Sequence, residues 1–214
     1  MHRVVFALVA VVGALLIGGL LLLGRGGNEP AKEALEGADP LYEAHVVIGD
    51  PEAPGWVVEF SNYACPHCRN HALEVLPLII RDYVDTGKVR YVFRTFPFPG
   101  QEDVYLASVA AGCAYDLRKE RFLDYHQLLF RAVMDWSGRP AAEVRPKLVD
   151  YARQLGYPAG EFEACLDSEA VRKRVDLDVK LAEALGVTGT PTFFVNGEKL
   201  VGFMPYEKWR EVLR

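Results

Sequence analysis

The sequence has few cysteines and no concentration of positive charge. Its 214 residues include four cysteines and a single Cys-x-x-Cys pair, so the second pair that many structural zinc sites need is missing. The formal net charge is −5, with 24 basic and 29 acidic side chains and no basic stripe, which argues against nucleic-acid binding. Because 50% of the residues are apolar, the chain can bury one core with an insertion, or two small domains.

Acidic residues are also absent from residues 1–27, which contain an uncharged run from Val4 to Leu23. At about 1.5 Å per residue, a helix over this run would span the roughly 30 Å hydrocarbon layer of a membrane. The run is long for a secretory signal and no clear A-x-A-like cleavage site follows it, so we expect an uncleaved anchor. A cleaved signal is the alternative. Residues 28–40 are predicted to be a polar linker.

The most informative motif is Cys65-Pro66-His67-Cys68, which follows a short apolar run and opens a helical pattern. Cysteines spaced in this way at the start of a helix can close a small disulfide. The N–H groups of a helix N-terminus point at the first sulfur and favour its thiolate. The order of strand, Cys-x-x-Cys and helix therefore predicts a redox site. We expect Cys65 to be the exposed nucleophile and Cys68 its more buried partner.

A structural disulfide or a zinc site is the alternative for this cysteine pair. Structural zinc needs about four ligands, and Cys65, Cys68 and His71 supply three at most, so we expect no metal. His67 lies between the cysteines, and its ring is predicted to favour the Cys65 thiolate further. A solvent-exposed histidine without a role is the alternative for His67.

Glu59 is a carboxylate within an apolar strand, six residues before the first cysteine of the motif. A buried carboxylate without a partner is costly and tends to have a raised pKa. The alternative is a glutamate that faces solvent from an edge strand.

The wider pattern predicts two strands, a helix and a third strand, at 44–48, 56–61, 65–86 and 89–96. Pro77 should kink this helix, and Gly87 fits its C-terminal cap. Helical patterns fill the region that follows, at 104–118, 121–136, 140–155 and 168–185. Two strands joined by an Asn-Gly turn and a final helix complete the order, at 192–195, 199–202 and 205–214.

This order, the Cys-x-x-Cys motif and the run from Gly189 to Gly197 resemble the DsbA-like thiol:disulfide oxidoreductases. The resemblance covers roughly residues 42–214, and it is specific because two separated motifs agree in type, order and spacing. It implies an α/β, thioredoxin-like fold with an inserted all-helical domain. Residues 41–100 and 187–214 would form the thioredoxin-like domain and residues 101–186 the insert, behind an N-terminal transmembrane helix in residues 1–27.

The resemblance also implies roles for single residues. The Pro66-His67 dipeptide is similar to that of strongly oxidising members, and Glu59 stands where the family places a proton acceptor beneath the disulfide. Pro191 resembles the family's cis-proline beside the active site, where the backbone of Thr190 would pair with an extended substrate. An ordinary proline at the entry of a strand is the alternative.

Cys113 and Cys165 lie in helical segments of the insert. Four cysteines allow three pairings, and because the Cys-x-x-Cys pair closes locally, we expect these two to pair with each other. Some DsbA-like proteins carry a second disulfide in the insert, which this pair resembles. Two buried free thiols are the alternative.

The resemblance implies an oxidase that passes its disulfide to reduced exported proteins. We expect a monomer without bound cofactor, held in the cytoplasmic membrane by residues 4–23 with its catalytic domain outside, and reoxidised by a quinone-linked membrane partner of the DsbB or VKOR type. The alternatives are an extracytoplasmic disulfide reductase or isomerase and, in a different class, a non-catalytic module that binds substrate or metal.

Overall fold

A computed structural model of the chain describes residues 39–214, so the predicted membrane segment, residues 4–23, lies outside the described residues. Within residues 39–214 no helix is both long enough and apolar enough to cross a membrane. The described chain forms a mixed sheet of five strands in the order β1-β3-β2-β4-β5. The strands are β1 (Val46–Ile48), β2 (Gly55–Ser61), β3 (Val89–Thr95), β4 (Thr192–Val195) and β5 (Glu198–Val201).

Helices α2 to α7 follow one another between β3 and β4, so the predicted helical insertion is present. The domain boundaries given above remain a prediction. The helices are α1 (residues 66–84), α2 (Glu102–Leu117), α3 (Phe122–Arg131), α4 (Val133–Trp136), α5 (Ala141–Gln154), α6 (Ala159–Cys165), α7 (Glu169–Ala184) and α8 (Tyr206–Val212).

Strand β2 lies at the centre of the sheet, parallel to β3 and antiparallel to β4. Its side chains Val57, Val58 and Phe60 are fully buried, because helices or strands cover both faces of a central strand. Glu59 is also fully buried, and the strand pairing places it opposite Phe93 and Phe193. The edge-strand alternative for Glu59 is therefore wrong.

Helix α1 forms where the sequence predicts it, but π-helical turns at His71–Val75 and Ile80–Val84 interrupt its α-helical geometry. Pro77 has no N–H group, so it cannot donate to a carbonyl of the preceding turn. The carbonyl of Ala72 instead accepts a hydrogen bond from Nε2 of Gln127 on α3, at 3.4 Å. This bond ties α1 to the helical insert behind the active-site motif.

Two details of the insert differ from the predicted helices. The segment predicted at 121–136 divides at Ala132 into α3 and α4. There the carbonyl of Leu129 accepts from Nε1 of Trp136 at 3.0 Å, which takes the place of the bond that a continuing helix would make. The bounds of helix α6, which lies between the predicted segments 140–155 and 168–185, were not predicted, because seven residues that include Gly160 give no clear helical period.

Candidate active site

Both cysteines of the motif lie where strand β2 leads into helix α1. Cys65 occupies the N-cap of α1 in an extended conformation, and Pro66 takes the first helical position, which needs no N–H donor. Cys65 is half-buried and Cys68 is fully buried. Both are free thiols, so the structure represents the reduced state of the pair.

The two thiols differ strongly in acidity. A hydrogen bond from the Cys68 thiol, aided by backbone N–H groups of Cys68 and His67, lowers the pKa of Cys65 to about 5. Burial is the main cause that raises the pKa of Cys68 well above its ordinary value. Cys65 is therefore a thiolate at neutral pH while Cys68 keeps its proton, which suits Cys65 for the role of exposed nucleophile.

His67 contributes to this site through its backbone, and the predicted role of its ring stays a prediction. Its side chain is exposed and forms no hydrogen bond within residues 39–214, and the group that reaches the Cys65 sulfur is its backbone N–H. Any residue other than proline supplies that N–H. The contact between His67 and the Cys65 sulfur therefore does not depend on the imidazole ring.

Behind the cysteines, Glu59 belongs to a buried hydrogen-bonded chain that the sequence did not reveal. Tyr91 on β3 donates its hydroxyl to Oε2 of Glu59 at 2.8 Å, and Nε2 of His71 on α1 lies 2.9 Å from the same hydroxyl. Oε1 of Glu59 has no partner within the described chain. Burial raises the pKa of Glu59 to about 7, although the Tyr91 bond opposes the shift.

His71 is held in this chain as a neutral ring, because burial lowers its pKa to about 3. Its Nε2 is engaged by Tyr91, and its Nδ1 has no hydrogen-bond partner within residues 39–214. No group of three or more His, Cys, Asp or Glu side chains in residues 39–214 is arranged to hold a metal ion.

The second predicted motif meets the first at the sulfur of Cys65. The Thr190–Pro191 peptide bond is cis, and the sulfur of Cys65 lies 3.3 Å from the carbonyl oxygen of Thr190. The hydroxyl of Thr192, at the start of β4, donates to the carbonyl of Gly189 at 2.7 Å and closes this loop. Two segments 125 residues apart in sequence thus form one site.

Comparison with known proteins agrees with this geometry. The family model described as thioredoxin matches residues 42–214. The chain belongs to the thioredoxin family. Its resemblance to the DsbA-like thiol:disulfide oxidoreductases is confirmed by the relatives described next, and it is an enzyme of that type.

Among its relatives, disulfide bond formation protein D of Bacillus subtilis is 29% identical over 188 residues, which cover 87% of this chain and 82% of that protein. A putative protein-disulfide oxidoreductase of Rickettsia prowazekii is 30% identical over 153 residues, 71% of this chain, and the chain spans only 54% of its length. Oxidised BdbD from Bacillus subtilis superposes with a TM-score of 0.68 at 28% identity, covering 80% of this chain and 91% of BdbD. Wolbachia pipientis α-DsbA1, with a TM-score of 0.69 at 24% identity over 78% of this chain and 87% of its own, supports the fold alone.

The other two cysteines of this DsbA-like enzyme form a disulfide. Cys113 on α2 and Cys165 on α6 are bonded, with their Cα atoms 5.8 Å apart and a sequence separation of 52 residues. Cys113 is fully buried, and the bond joins two helices of the insert. The alternative of two free thiols is not what the structure contains.

Asn62 is a site residue that the sequence analysis of this DsbA-like enzyme missed. Its N–H lies 3.5 Å from the sulfur of Cys68, and its side chain accepts from the N–H of Ala64 at 2.9 Å. The side-chain amide also donates to the carbonyl of Phe96 and to Oε1 of Gln101. Asparagine side chains often accept a hydrogen bond from the backbone N–H two residues later and so form a turn. An asparagine just before the Cys-x-x-Cys motif was therefore the signal available in the sequence.

Tyr63 and His126 form a second missed pair. The hydroxyl of Tyr63 lies 2.8 Å from Nδ1 of His126, and both side chains are buried. Burial lowers the pKa of His126 to about 3, so the ring is neutral. Tyr63 lies in sequence just before the active-site motif and His126 lies on α3, so this bond connects the catalytic loop to the insert.

A cavity of about 550 Å³ opens beside the catalytic sulfur of this DsbA-like enzyme. The loop before α1, the first turns of α1 and the end of the α3–α4 region form its walls. Its lining residues are Tyr63, Ala64, Cys65, Pro66, Arg69, Arg131, Val133, Met134 and Ser137. A peptide that forms a mixed disulfide with Cys65 has room to lie here.

Proposed function

We propose that this enzyme is an exported oxidase that donates the Cys65–Cys68 disulfide to reduced proteins outside the cytoplasm. The observation that carries the proposal is the set of hydrogen bonds that lowers the pKa of Cys65 to about 5. Stabilising the Cys65 thiolate stabilises the reduced enzyme, and a stable reduced form makes the disulfide a stronger oxidant. The name of the Bacillus subtilis relative, which refers to disulfide bond formation, supports the same direction.

The reaction begins when a client thiolate attacks the sulfur of Cys65. The Cys65–Cys68 bond breaks, a mixed disulfide forms at Cys65, and Cys68 leaves as a thiolate that takes up a proton. A second client thiolate then attacks the client sulfur of the mixed disulfide and releases Cys65 as a stable thiolate. The client loses two electrons and two thiol protons. The enzyme gains both electrons, Cys68 keeps one proton, and the second proton goes to solvent.

Glu59 is the group that we assign to proton transfer at Cys68. It is buried, its pKa is raised to about 7, and it interacts electrostatically with the Cys68 thiol. A carboxyl with this pKa exists in both forms near neutral pH, so it can give or accept a proton. The carbonyl of Thr190, next to the Cys65 sulfur, is placed to pair with the backbone of a client segment, and Pro191 shields the pair from metal ions.

The finer features of the proposal concern location and partners. Residues 4–23 anchor a monomeric enzyme in the cytoplasmic membrane, residues 1–3 stay in the cytoplasm, and the catalytic domain lies outside, where thiols are not kept reduced. The Cys65–Cys68 disulfide carries the electrons without a bound cofactor, and a quinone-linked membrane partner of the DsbB or VKOR type regenerates it.

The deciding experiment is the redox equilibrium of the purified chain with glutathione. We expect a reduction potential nearer the roughly −120 mV of strong oxidants than the about −270 mV of thioredoxin. A potential below about −230 mV would make the enzyme a reductase and contradict the proposal. Mass spectrometry of the active-site peptide should follow Cys65, so that the Cys113–Cys165 bond does not enter the measurement.

The location is tested separately in the native host. Membrane fractions should contain the full-length chain after salt and carbonate washing, and protease added to spheroplasts should digest the catalytic domain. A mature soluble chain that begins near Gly26 would show that the segment is a cleaved signal. A protected catalytic domain would contradict export altogether.

A further inference from the structure

The cavity beside Cys65 has an unbalanced charge. Two of its lining residues are arginines, Arg69 and Arg131, and none is a carboxylate. The chain as a whole carries a net charge of −5, so a purely cationic lining at the catalytic sulfur departs from the average surface. The rest of the wall is apolar or small, and Met134 on it is 87% exposed.

Both arginines are oriented by neutral acceptors. Nε of Arg69 donates to the carbonyl of Phe130 at 3.3 Å, and Nη2 of Arg131 donates to Oε1 of Gln127 at 2.7 Å. Neither makes an ion pair with a carboxylate of residues 39–214, whereas eight other arginines of the described chain do. Their side chains are exposed, and both line the cavity.

The acidity of Cys65 is accounted for without these two charges. The contacts that lower its pKa are hydrogen bonds from Cys68 and from the N–H groups at the start of α1. Arg69 and Arg131 therefore remain available to a bound molecule that reaches the same cavity.

We propose that Arg69 and Arg131 select client segments in which an acidic side chain lies within about two or three residues of the reactive cysteine. This inference rests on the proposed function, because it names the kind of segment that the catalytic site prefers. Guanidinium groups pair with carboxylates through charge-assisted hydrogen bonds, and opposite charges also accelerate encounter.

The spacing follows from the geometry of α1. The N–H of Arg69 donates to the carbonyl of Cys65, so the two residues are one helical turn apart. Side chains at this spacing have Cβ atoms about 5–6 Å apart. An extended client segment advances about 3.3 Å per residue. An acidic residue two positions from the client cysteine therefore matches the separation of Cys65 and Arg69, and one three positions away reaches Arg69 if its side chain is long.

The test uses synthetic dithiol peptides that are identical except for Glu, Gln or Lys two residues from each cysteine. Stopped-flow measurement follows their oxidation by the full-length enzyme in its disulfide form. Each rate is divided by the rate of the same peptide with bis(2-hydroxyethyl) disulfide, since a charge near a cysteine alters the reactivity of its own thiol. We expect the Glu peptide to react about tenfold faster than the Lys peptide at low ionic strength, and the ratio to fall towards one in high salt.

Variants assign the preference to the two arginines. In Arg69→Gln/Arg131→Gln the ratio of Glu to Lys rates should fall to about twofold or less, and in Arg69→Lys/Arg131→Lys, which keeps both charges, it should persist. Arg118→Gln removes one exposed arginine that does not line the cavity, and it should keep the full ratio.

The outcomes separate the two proposals. Equal corrected rates for the three peptides, or a faster Lys peptide, would overturn the preference while leaving the oxidase function intact. A preference that survives in the double Gln variant would overturn the assignment to these arginines. If the enzyme oxidises none of the peptides, the proposed function itself is wrong.

Discussion

The two cysteine pairs of this chain have the same chemical composition and opposite surroundings. Cys65 and Cys68 lie three residues apart in a loop and helix start, one half-buried and one buried, and they are free thiols. Cys113 and Cys165 lie 52 residues apart on two helices and form a disulfide. Only the first pair has hydrogen bonds that favour a thiolate, a cavity at its sulfur and a buried carboxyl behind it.

The difference shows that the surroundings of a disulfide decide its use. A disulfide becomes exchangeable when its reduced form is stabilised and one sulfur is accessible. The Cys113–Cys165 disulfide also has one half-buried cysteine, Cys165, but neither of its cysteines lines the cavity beside Cys65 or three other cavities of the described chain. Its effect is on the unfolded chain, whose entropy it reduces. Four predictions test this contrast, in order of decreasing effect.

The largest effect should come from the first cysteine of the motif. Cys65→Ser should abolish oxidation of a reduced dithiol peptide, because no other sulfur of the pair is accessible. Cys68→Ser should instead accumulate a mixed disulfide with the peptide, visible by non-reducing electrophoresis. As the matched control, Cys113→Ala/Cys165→Ala should keep most of its activity at a temperature where it is folded. Loss of exchange in that control but not in Cys65→Ser would reverse the contrast.

The second prediction concerns stability. Cys113→Ala/Cys165→Ala should lose about 4 kcal/mol of unfolding free energy, since the bond closes a loop of 52 residues. Urea unfolding, with the active-site pair kept reduced in both proteins, measures the difference. As the comparison, reduction of Cys65 and Cys68 in the parent protein should cost no stability, because the Cys65 thiolate stabilises the reduced form. A smaller loss from the insert pair than from the active-site pair would contradict the structural role.

The third prediction uses the pKa of Glu59, which burial raises to about 7. In a mixed disulfide of Cys65 with glutathione, Cys68 must lose its proton to attack. The rate should rise with pH through about 7 as Glu59 ionises and can accept that proton. Glu59→Gln should slow this step by on the order of ten- to a hundredfold and remove the inflection.

Tyr91→Phe sharpens the same test. The Tyr91 hydroxyl donates to Glu59 and lowers its pKa, so its loss should move the inflection to higher pH. Tyr105→Phe, on α2, is the matched control and should leave the inflection unchanged. The effect on stability has the opposite sign. Because the pKa of Glu59 in the folded protein exceeds its ordinary value of 4.5, Glu59 costs stability as pH rises from 4.5 through about 7. Glu59→Gln should therefore be more stable than the parent above pH 7.

Much of the site was predictable because its signals are local. A Cys-x-x-Cys at a helix start and an acid in an apolar strand each carry their meaning within a few residues. Hydrogen bonds across elements were not predictable in this way. Tyr91 reaches Glu59 from a neighbouring strand, and no sequence spacing indicates that His71 turns towards that hydroxyl instead of the cysteines.

The fold shows the same limit. The strands follow their apolar patterns closely, whereas the division at Ala132 depends on Trp136 reaching back to a carbonyl. Arg94 on β3 is a further example, since its guanidinium is 2% exposed and pairs with Asp178 on α7 at 2.6 Å. An arginine in a strand normally predicts a solvent-facing position, and only the packing of the insert onto the sheet explains its burial.

The smallest effect should come from His67. The Cys68 thiol is the largest contributor to the low pKa of Cys65, and His67 contributes through its backbone N–H, which alanine retains. His67→Ala should therefore change the rate of Cys65 alkylation at mildly acidic pH by less than about twofold. Cys68→Ala should raise the pKa of Cys65 and slow the reaction far more. The ultraviolet absorbance of the thiolate, followed against pH in the three proteins, measures this directly. A shift in His67→Ala as large as that in Cys68→Ala would show that the imidazole, and not the helix start, makes this pair different from Cys113 and Cys165.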